Sequence, residues 1–344
     1  MSPTIPFLAV RGDAAALRQL DERHAALLAH HGLASWTRRA LEDAGMSGSP
    51  LRAALAPAAE REFARCCARK LALTRLDARA AELGMTILVL KGGASSLAFY
   101  PSEELRPSCD LDALLSAEDL AKLLPQTRLD WLIGPHAPID QSLGYPLEAH
   151  LSFRAGRGWG TPRDLSEGSV TLEQFPHLRR CGAVVSLTVA LLHAVANRGK
   201  APFDALDAKL IVASPGFDLE EAVAYWRERH ITQLAWPALH AFSPWVPAFD
   251  AKLLSRVLQD LPTSTRRRCQ LNSRLMRGES FSRLKRCWLK SQLRGISFAR
   301  QLLESFLGRQ AITAQLTGLS PRRPSFWWQH LVRQPLRRLG NLFK

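Results

Sequence analysis

Apolar residues recur at helical spacing between residues 12 and 82, first as Leu17, Leu20, Leu27 and Leu28 and then through the block from Leu51 to Leu83, so the pattern predicts a helical N-terminal region. The period then changes. Thr86-Ile87-Leu88-Val89-Leu90 is a short β-branched run bounded by Gly84 and by Gly92-Gly93, which suits a buried strand. Ala94 to Tyr100 and Ala117 to Leu124 read as short helices and Leu129 to Ile133 as a strand. In Tyr145 to Phe153, strand alternation sets Glu148, His150 and Ser152 on one face. Arg154 to Asp164, with Gly156, Gly158, Gly160 and Pro162 around Trp159, reads as a loop that either closes over a substrate or is plain surface. From Val184 helices dominate again, and Asp218 reads as the N-cap of the one that opens Leu219-Glu220-Glu221.

The alternation of periods predicts an α+β protein in four parts. These are a helical region over 1–82, an α/β core over 83–180, a helical region over 181–262 packed on the core, and a basic helical C-terminal region over 263–344.

The chemistry concentrates in the core. In Arg106-Pro107-Ser108-Cys109-Asp110-Leu111-Asp112, side chains i and i+2 of an extended strand share a face, so Asp110 and Asp112 project together. Two carboxylates that close are either a proton-sharing dyad or ligands for a hard cation such as Mg²⁺. Upstream, Gly92 and Gly93 free the backbone N–H groups at the start of a helix, where an anion is favoured. Strand, Gly-Gly turn, helix and Asp-x-Asp strand thus set a phosphate cradle beside a two-carboxylate site. Each residue also has a plainer reading. Asp-x-Asp is common on solvated strand ends, Lys91 suits an exposed strand end, and Arg106 suits a pair with a nearby carboxylate. His150 suits a hydrogen bond inside the core, and His193, on the apolar run Val184 to Val195, suits a buried core position.

These residues resemble the DNA polymerase β-like nucleotidyltransferases, and within them a bacterial branch of uncharacterised nucleotidyltransferases. The residues that carry the resemblance are Leu90-Lys91-Gly92, Tyr100-Pro101, Arg106, Asp110-Leu111-Asp112 and Glu148-Ala149-His150. The likeness covers roughly residues 80 to 215 and takes in Leu191-Leu192-His193, Asp204 and Asp207. Ser95 departs from the pattern by lying two positions after Gly93, which weakens its case as a phosphate contact. The stretch from Gly93 to Asp110 is longer than in the compact superfamily pattern, as it is in the branch. The resemblance implies a small mixed sheet with flanking helices, extended by helices at both ends. It implies catalysis with two Mg²⁺ ions held by Asp110, Asp112 and Glu148. Lys91, Gly92, Gly93, Ser95 and Arg106 would contact the nucleotide. A nucleoside monophosphate would pass from a triphosphate such as ATP to a hydroxyl of a protein, peptide, RNA or small molecule, with pyrophosphate released.

Composition narrows the surroundings of this site. With 344 residues, 47% of them apolar, the chain can bury a sizeable core and is not a disordered polymer. The start Met1-Ser2-Pro3-Thr4-Ile5-Pro6 lacks a secretory pattern, and no apolar run reaches the roughly 18 to 20 residues of a membrane span, so a cytoplasmic location is expected. The six cysteines show neither zinc nor disulfide spacing, which suits reduced thiols. The net charge of +15 is C-terminal, because residues 263–344 carry 18 Lys and Arg against Glu279 and Glu304 alone. Phe281, Trp288, Trp327 and Trp328 are interleaved with these cations. Such a region fits peripheral contact with an anionic membrane, a nucleic acid or an acidic peptide, or else a solvated basic face. A second reading follows, in which the fold is catalytically inactive and serves as an RNA-, membrane- or peptide-binding module through this region.

Overall fold

Ile87, Leu88, Val89 and Leu90 are all buried and form β1 (Ile87–Leu90), the middle strand of a five-stranded mixed sheet. The computed structural model describes residues 5–123, 145–150, 159–197 and 202–277. The other strands are β2 (Leu111–Leu114), β3 (Leu147–His150), β4 (Val170–Leu172) and β5 (Phe175–Arg180), in the order β3-β2-β1-β5-β4. β2 runs antiparallel to β1 and parallel to β3, while β5 runs parallel to β1 and antiparallel to β4. The register aligns Leu90, Asp112 and Glu148 in one row across three strands, and Leu88, Leu114 and His150 in the next. Because alternate residues share a face, Asp112, Glu148 and His150 all project to one side of the sheet.

Six helices precede the sheet among the described residues: α1 (Ile5–Arg11), α2 (Ala14–Leu17), α3 (Ala25–His30), α4 (Ala34–Asp43), α5 (Pro50–Ala54) and α6 (Ala56–Glu82). α6 covers the sheet face opposite the carboxylates. Its Ala72, Leu73, Leu76 and Ala80 pack with Ile87, Val89, Leu111, Ala113 and Leu147 in one apolar cluster. Two charged residues of α6 are also buried, at positions that continue this stripe, Glu62 and Arg69. Glu62 accepts hydrogen bonds from the backbone N–H groups of Ala34 (3.1 Å) and Ser35 (2.7 Å), and so caps α4, which has no side-chain cap of its own. Burial pushes the Glu62 carboxyl upward, against the pull of these two donors.

After β1 come α7 (Lys91–Ala98), a 3₁₀ turn over Glu103–Leu105, and, past β2, α8 (Ala117–Leu123). α9 (Pro162–Ser166) is followed, beyond β5, by α10 (Ala183–Asn197), α11 (Pro202–Val212), α12 (Leu219–Glu228), α13 (Thr232–Phe242), α14 (Ala251–Gln259) and α15 (Thr263–Met276). α10 is apolar on nearly every side and lies in the larger core cluster, which joins Leu88, Leu90 and Leu114 to N-terminal residues such as Leu8 and Leu17 and to Trp226 and Phe242. Asp218 caps α12 as its sequence indicated, accepting from the Glu220 N–H at 2.8 Å. Among the described residues no helix is long and apolar enough to cross a membrane, and the five described cysteines are free.

The structure departs from the sequence reading in three places. The helix expected from Ala94 begins at Lys91, so Gly92 and Gly93 lie inside its first turn. The expected loop over 154–164 ends in an ordered anchor: Trp159 is buried and its indole N–H donates to the Tyr225 hydroxyl at 2.9 Å, and Thr161 caps α9. The β4–β5 hairpin was not legible, because its turn is Glu173-Gln174 and carries no glycine or asparagine. The strand expected over Leu129 to Ile133, Ser152, residues 154–158 and the basic stretch 278–344 lie outside the described residues.

Candidate active site

The row of residues across β1, β2 and β3 brings two acids and an imidazole together. Asp112 is buried, and its Oδ1 lies 2.6 Å from Lys91 Nζ and 2.8 Å from His150 Nε2. His150 is two residues beyond Asp112's register partner Glu148, and it is this diagonal placement that lets its ring reach the aspartate. Glu148 Oε1 is 3.8 Å from His150 Nε2, and one ligand atom from each of Asp112, Glu148 and His150 falls within 4.8 Å of the others. Asp110 stands one residue before β2, half-buried, with Oδ1 3.2 Å from the Ser108 hydroxyl. It is not one of that three-residue group, but its charge and that of Asp112 act on each other.

The electrostatics divide the two aspartates. Burial works to raise the Asp112 carboxyl, yet the hydrogen bond to His150 and the charge of Lys91 prevail and hold it at about 2. Burial and the neighbouring Asp112 push the Asp110 carboxyl upward. Burial alone would lower the Lys91 ammonium, but the charges of Asp112, Glu148 and Asp110 outweigh it and leave it above its ordinary range. Asp112, Glu148 and His150 each offer one ligand atom close enough to the others to hold a metal ion, with Asp110 nearby in charge contact.

Lys91 occupies the corner where β1 becomes α7, with φ of +48°, in the left-handed region that side chains other than glycine seldom adopt. The sequence reading sets the turn over Lys91-Gly92-Gly93, and the structure puts the bend at Lys91, the first of the three. Neither glycine has a positive φ; each is required by close packing instead. A Cβ at Gly93 would lie 3.0 Å from Val89 Cγ1 and 3.1 Å from Leu111 Cδ2, and one at Gly92 would lie 3.1 Å from Arg106 Nη1. With no side chain in the way, the first turn of α7 packs closely against β1 and β2. Ser95 is buried one turn further along.

Arg106 adopts the second of its two sequence readings. Its Nε and Nη2 donate to Asp207 Oδ1 (2.9 Å) and Oδ2 (3.0 Å), its guanidinium lies 4.3 Å from the centre of the Phe203 ring, and the Tyr100 hydroxyl donates to Asp207 at 2.6 Å. This clamp fastens α11 to the segment that leads into β2. From the other side Arg69, buried in α6, donates to the backbone carbonyls of Glu103 (3.0 Å) and Arg106. Arg69 escaped the sequence reading, although a charged residue in the apolar register of Cys66, Leu73 and Leu76 was the available signal.

Behind Lys91, a cavity of about 30 Å³ lies between β1, α7, α10 and α11. His193, Asp204 and Asp207 line it, together with Ser95 and Arg106. His193 is hydrogen-bonded, its Nδ1 2.8 Å from Asp204 Oδ1, as expected of a satisfied histidine, but it stands at a cavity wall and not enclosed in the core.

The five-stranded mixed sheet with its flanking helices is consistent with a nucleotidyltransferase-type core. Residues 20–125 match the family described as "Uncharacterised nucleotidyltransferase", which supports placing that segment in an uncharacterised nucleotidyltransferase family. The match begins well before residue 80 and takes in α3 to α6, while α1 and α2 precede it, and it ends before β3. No curated protein and no solved structure matches the chain.

Proposed function

We propose that this protein is a Mg²⁺-dependent nucleotidyltransferase that moves a nucleoside monophosphate from a triphosphate such as ATP to a hydroxyl of a protein, peptide, RNA or small molecule, releasing pyrophosphate. The observation that carries the reading is the convergence of Asp112, Glu148 and His150 beside the first turn of α7. Asp110, Asp112 and Glu148 would hold the metal, with His150 available as a further ligand. Bound there, divalent ions would neutralise phosphate charge and lower the pKa of the attacking hydroxyl. The protein's own part is positioning. The N–H groups of Gly92 and Gly93 face the phosphates, Lys91 moves from Asp112 to phosphate oxygens, and Arg106 keeps the approach to β2 in place.

The test is transfer of label from α-labelled nucleoside triphosphates with Mg²⁺ and cell extract. The full chain should transfer label and the Asp110→Ala, Asp112→Ala double variant should not; equal transfer by both would remove these residues from the mechanism.

One observation favours a second reading. The Lys91 ammonium already neutralises Asp112, as it would in a fold that had given up metal and acts through its basic C-terminal region. On that reading the protein takes no Mg²⁺-dependent triphosphate. It binds anionic vesicles or RNA in a salt-sensitive way that is lost on deletion of residues 320–344. A cytoplasmic protein held at a membrane surface suits either reading.

A further inference from the structure

The cavity behind Lys91 contains a polar group that the proposed transfer does not use. Asp204 has a side chain only 5% exposed, and its Oδ1 is engaged by His193 Nδ1 at 2.8 Å. Its Oδ2 is buried and has no hydrogen-bond partner among the described residues. The neighbouring cation does not serve it, because Arg106 directs its Nε and Nη2 to Asp207. A buried carboxylate oxygen left without a donor is costly, and such groups are normally satisfied.

We propose that Asp204 Oδ2 is a subsite for the hydroxyl groups of the triphosphate's ribose, with His193 as the residue that positions it. An acceptor-only oxygen calls for a ligand that donates, and a sugar hydroxyl does so without bringing a charge into the site. The cavity's volume of about 30 Å³ suits a small polar group such as a hydroxyl. Its location is the second argument. Leu90 and Lys91 line it, and both border the Asp112 row, so a ligand whose phosphates lie along α7 has its sugar within reach of this cavity. His193 orients the aspartate: its Nδ1–H satisfies Oδ1, while Asn197 Nδ2 faces Nε2 at 2.9 Å from the exposed side. Asp204 lines the cavity, and its Oδ2 is left without a donor among the described residues.

This inference rests on the nucleotidyltransferase reading, and the test separates the two. Calorimetry on the full chain with Mg²⁺ would compare ATP with its 2′-deoxy and 3′-deoxy analogues as probes. At least one deoxy analogue should bind about tenfold more weakly than ATP, and Asp204→Asn should bring the affinities to within about twofold of one another. His193→Ala, at a more exposed position, should reduce the discrimination while ATP binding persists. The ligand comparison needs no variant, so a misfolded Asp204→Asn protein leaves the inference testable. Binding of all three triphosphates with equal affinity by the unaltered chain would overturn the ribose subsite and leave the transferase reading standing. Failure of ATP itself to bind would overturn both.

Discussion

Lys91 Nζ lies 2.6 Å from Asp112 Oδ1, so the chain supplies its own cation at the centre of the candidate metal site. Replacing Lys91 by Met leaves Asp112 buried with one charge partner fewer, and breaking a buried pair in this way costs about 3 to 5 kcal/mol. The variant should be less stable than the parent without metal, and Mg²⁺ should raise its melting temperature more than that of the parent. Thermal denaturation with and without Mg²⁺ measures this, and an absence of any Mg²⁺ effect in either protein would contradict a metal site here.

The left-handed backbone at Lys91 can be separated from its charge. Both Lys91→Gly and Lys91→Ala remove the ammonium, but only glycine adopts φ of +48° without strain. The glycine variant should therefore be the more stable of the two by roughly 1 kcal/mol in urea unfolding, despite the ordinary helical preference for alanine.

The two aspartates should respond to pH with opposite signs. Asp112 is held at about 2 against an ordinary 3.8, so its contribution is fully present above pH 3.8 and lost as pH falls through 2. Its size is about 2 kcal/mol. Asp112→Asn should therefore flatten the acid limb of the stability curve between those values. Asp110 is raised, so its contribution is present at low pH and lost as pH rises through its folded value. Asp110→Asn should accordingly stabilise the metal-free protein at pH 7 while weakening Mg²⁺ binding about tenfold or more, a trade of stability for function measurable by denaturation and calorimetry.

Gly93→Ala would set a methyl group 3.0 Å from Val89 and 3.1 Å from Leu111, both fixed in the sheet. Those side chains or the first turn of α7 must then shift by a few tenths of an ångström, at a cost of about 1 to 3 kcal/mol. Triphosphate binding should fall with it, since the N–H groups of that turn move as well.

The clamp between Arg106 and Asp207 lends itself to a double-mutant cycle. Each of Arg106→Met and Asp207→Leu alone should cost about 3 to 5 kcal/mol by leaving a buried charge without its partner. The double variant should cost clearly less than the sum, and simple additivity would show that the two groups do not act as a pair.

The strands that carry the candidate site were legible in the sequence because their signals are local. Ile87 to Leu90 carries a strand pattern, and the two-residue period places Asp112 on one face and Glu148 with His150 on another strand's matching face. The turn over Lys91-Gly92-Gly93 was legible but the roles within it were not: the backbone bends at Lys91, and the glycines answer a packing demand set by Arg106, Val89 and Leu111. That demand comes from residues distant in sequence or on another strand. The partner of Arg106 is 101 residues away, which leaves two alternatives for an arginine near carboxylates when only the sequence is read. Glu62 and Arg69 are polar residues in an apolar register, a departure visible in the sequence whose meaning depends on which backbone groups fold against them.

Arg69 has a practical consequence for anyone trimming this chain. The bend over 103–106 that delivers Asp110 to its place is bolted from behind by a helix that starts near residue 56, and from the front by Asp207. A shortened gene product cut at the first strand, or ending where the family match ends at residue 125, would keep the aspartates and lose the fixtures that aim them. A unit worth assaying therefore spans both bolts and also keeps the N-terminal helices, whose Leu8 and Leu17 share one core with Leu88 and Leu90.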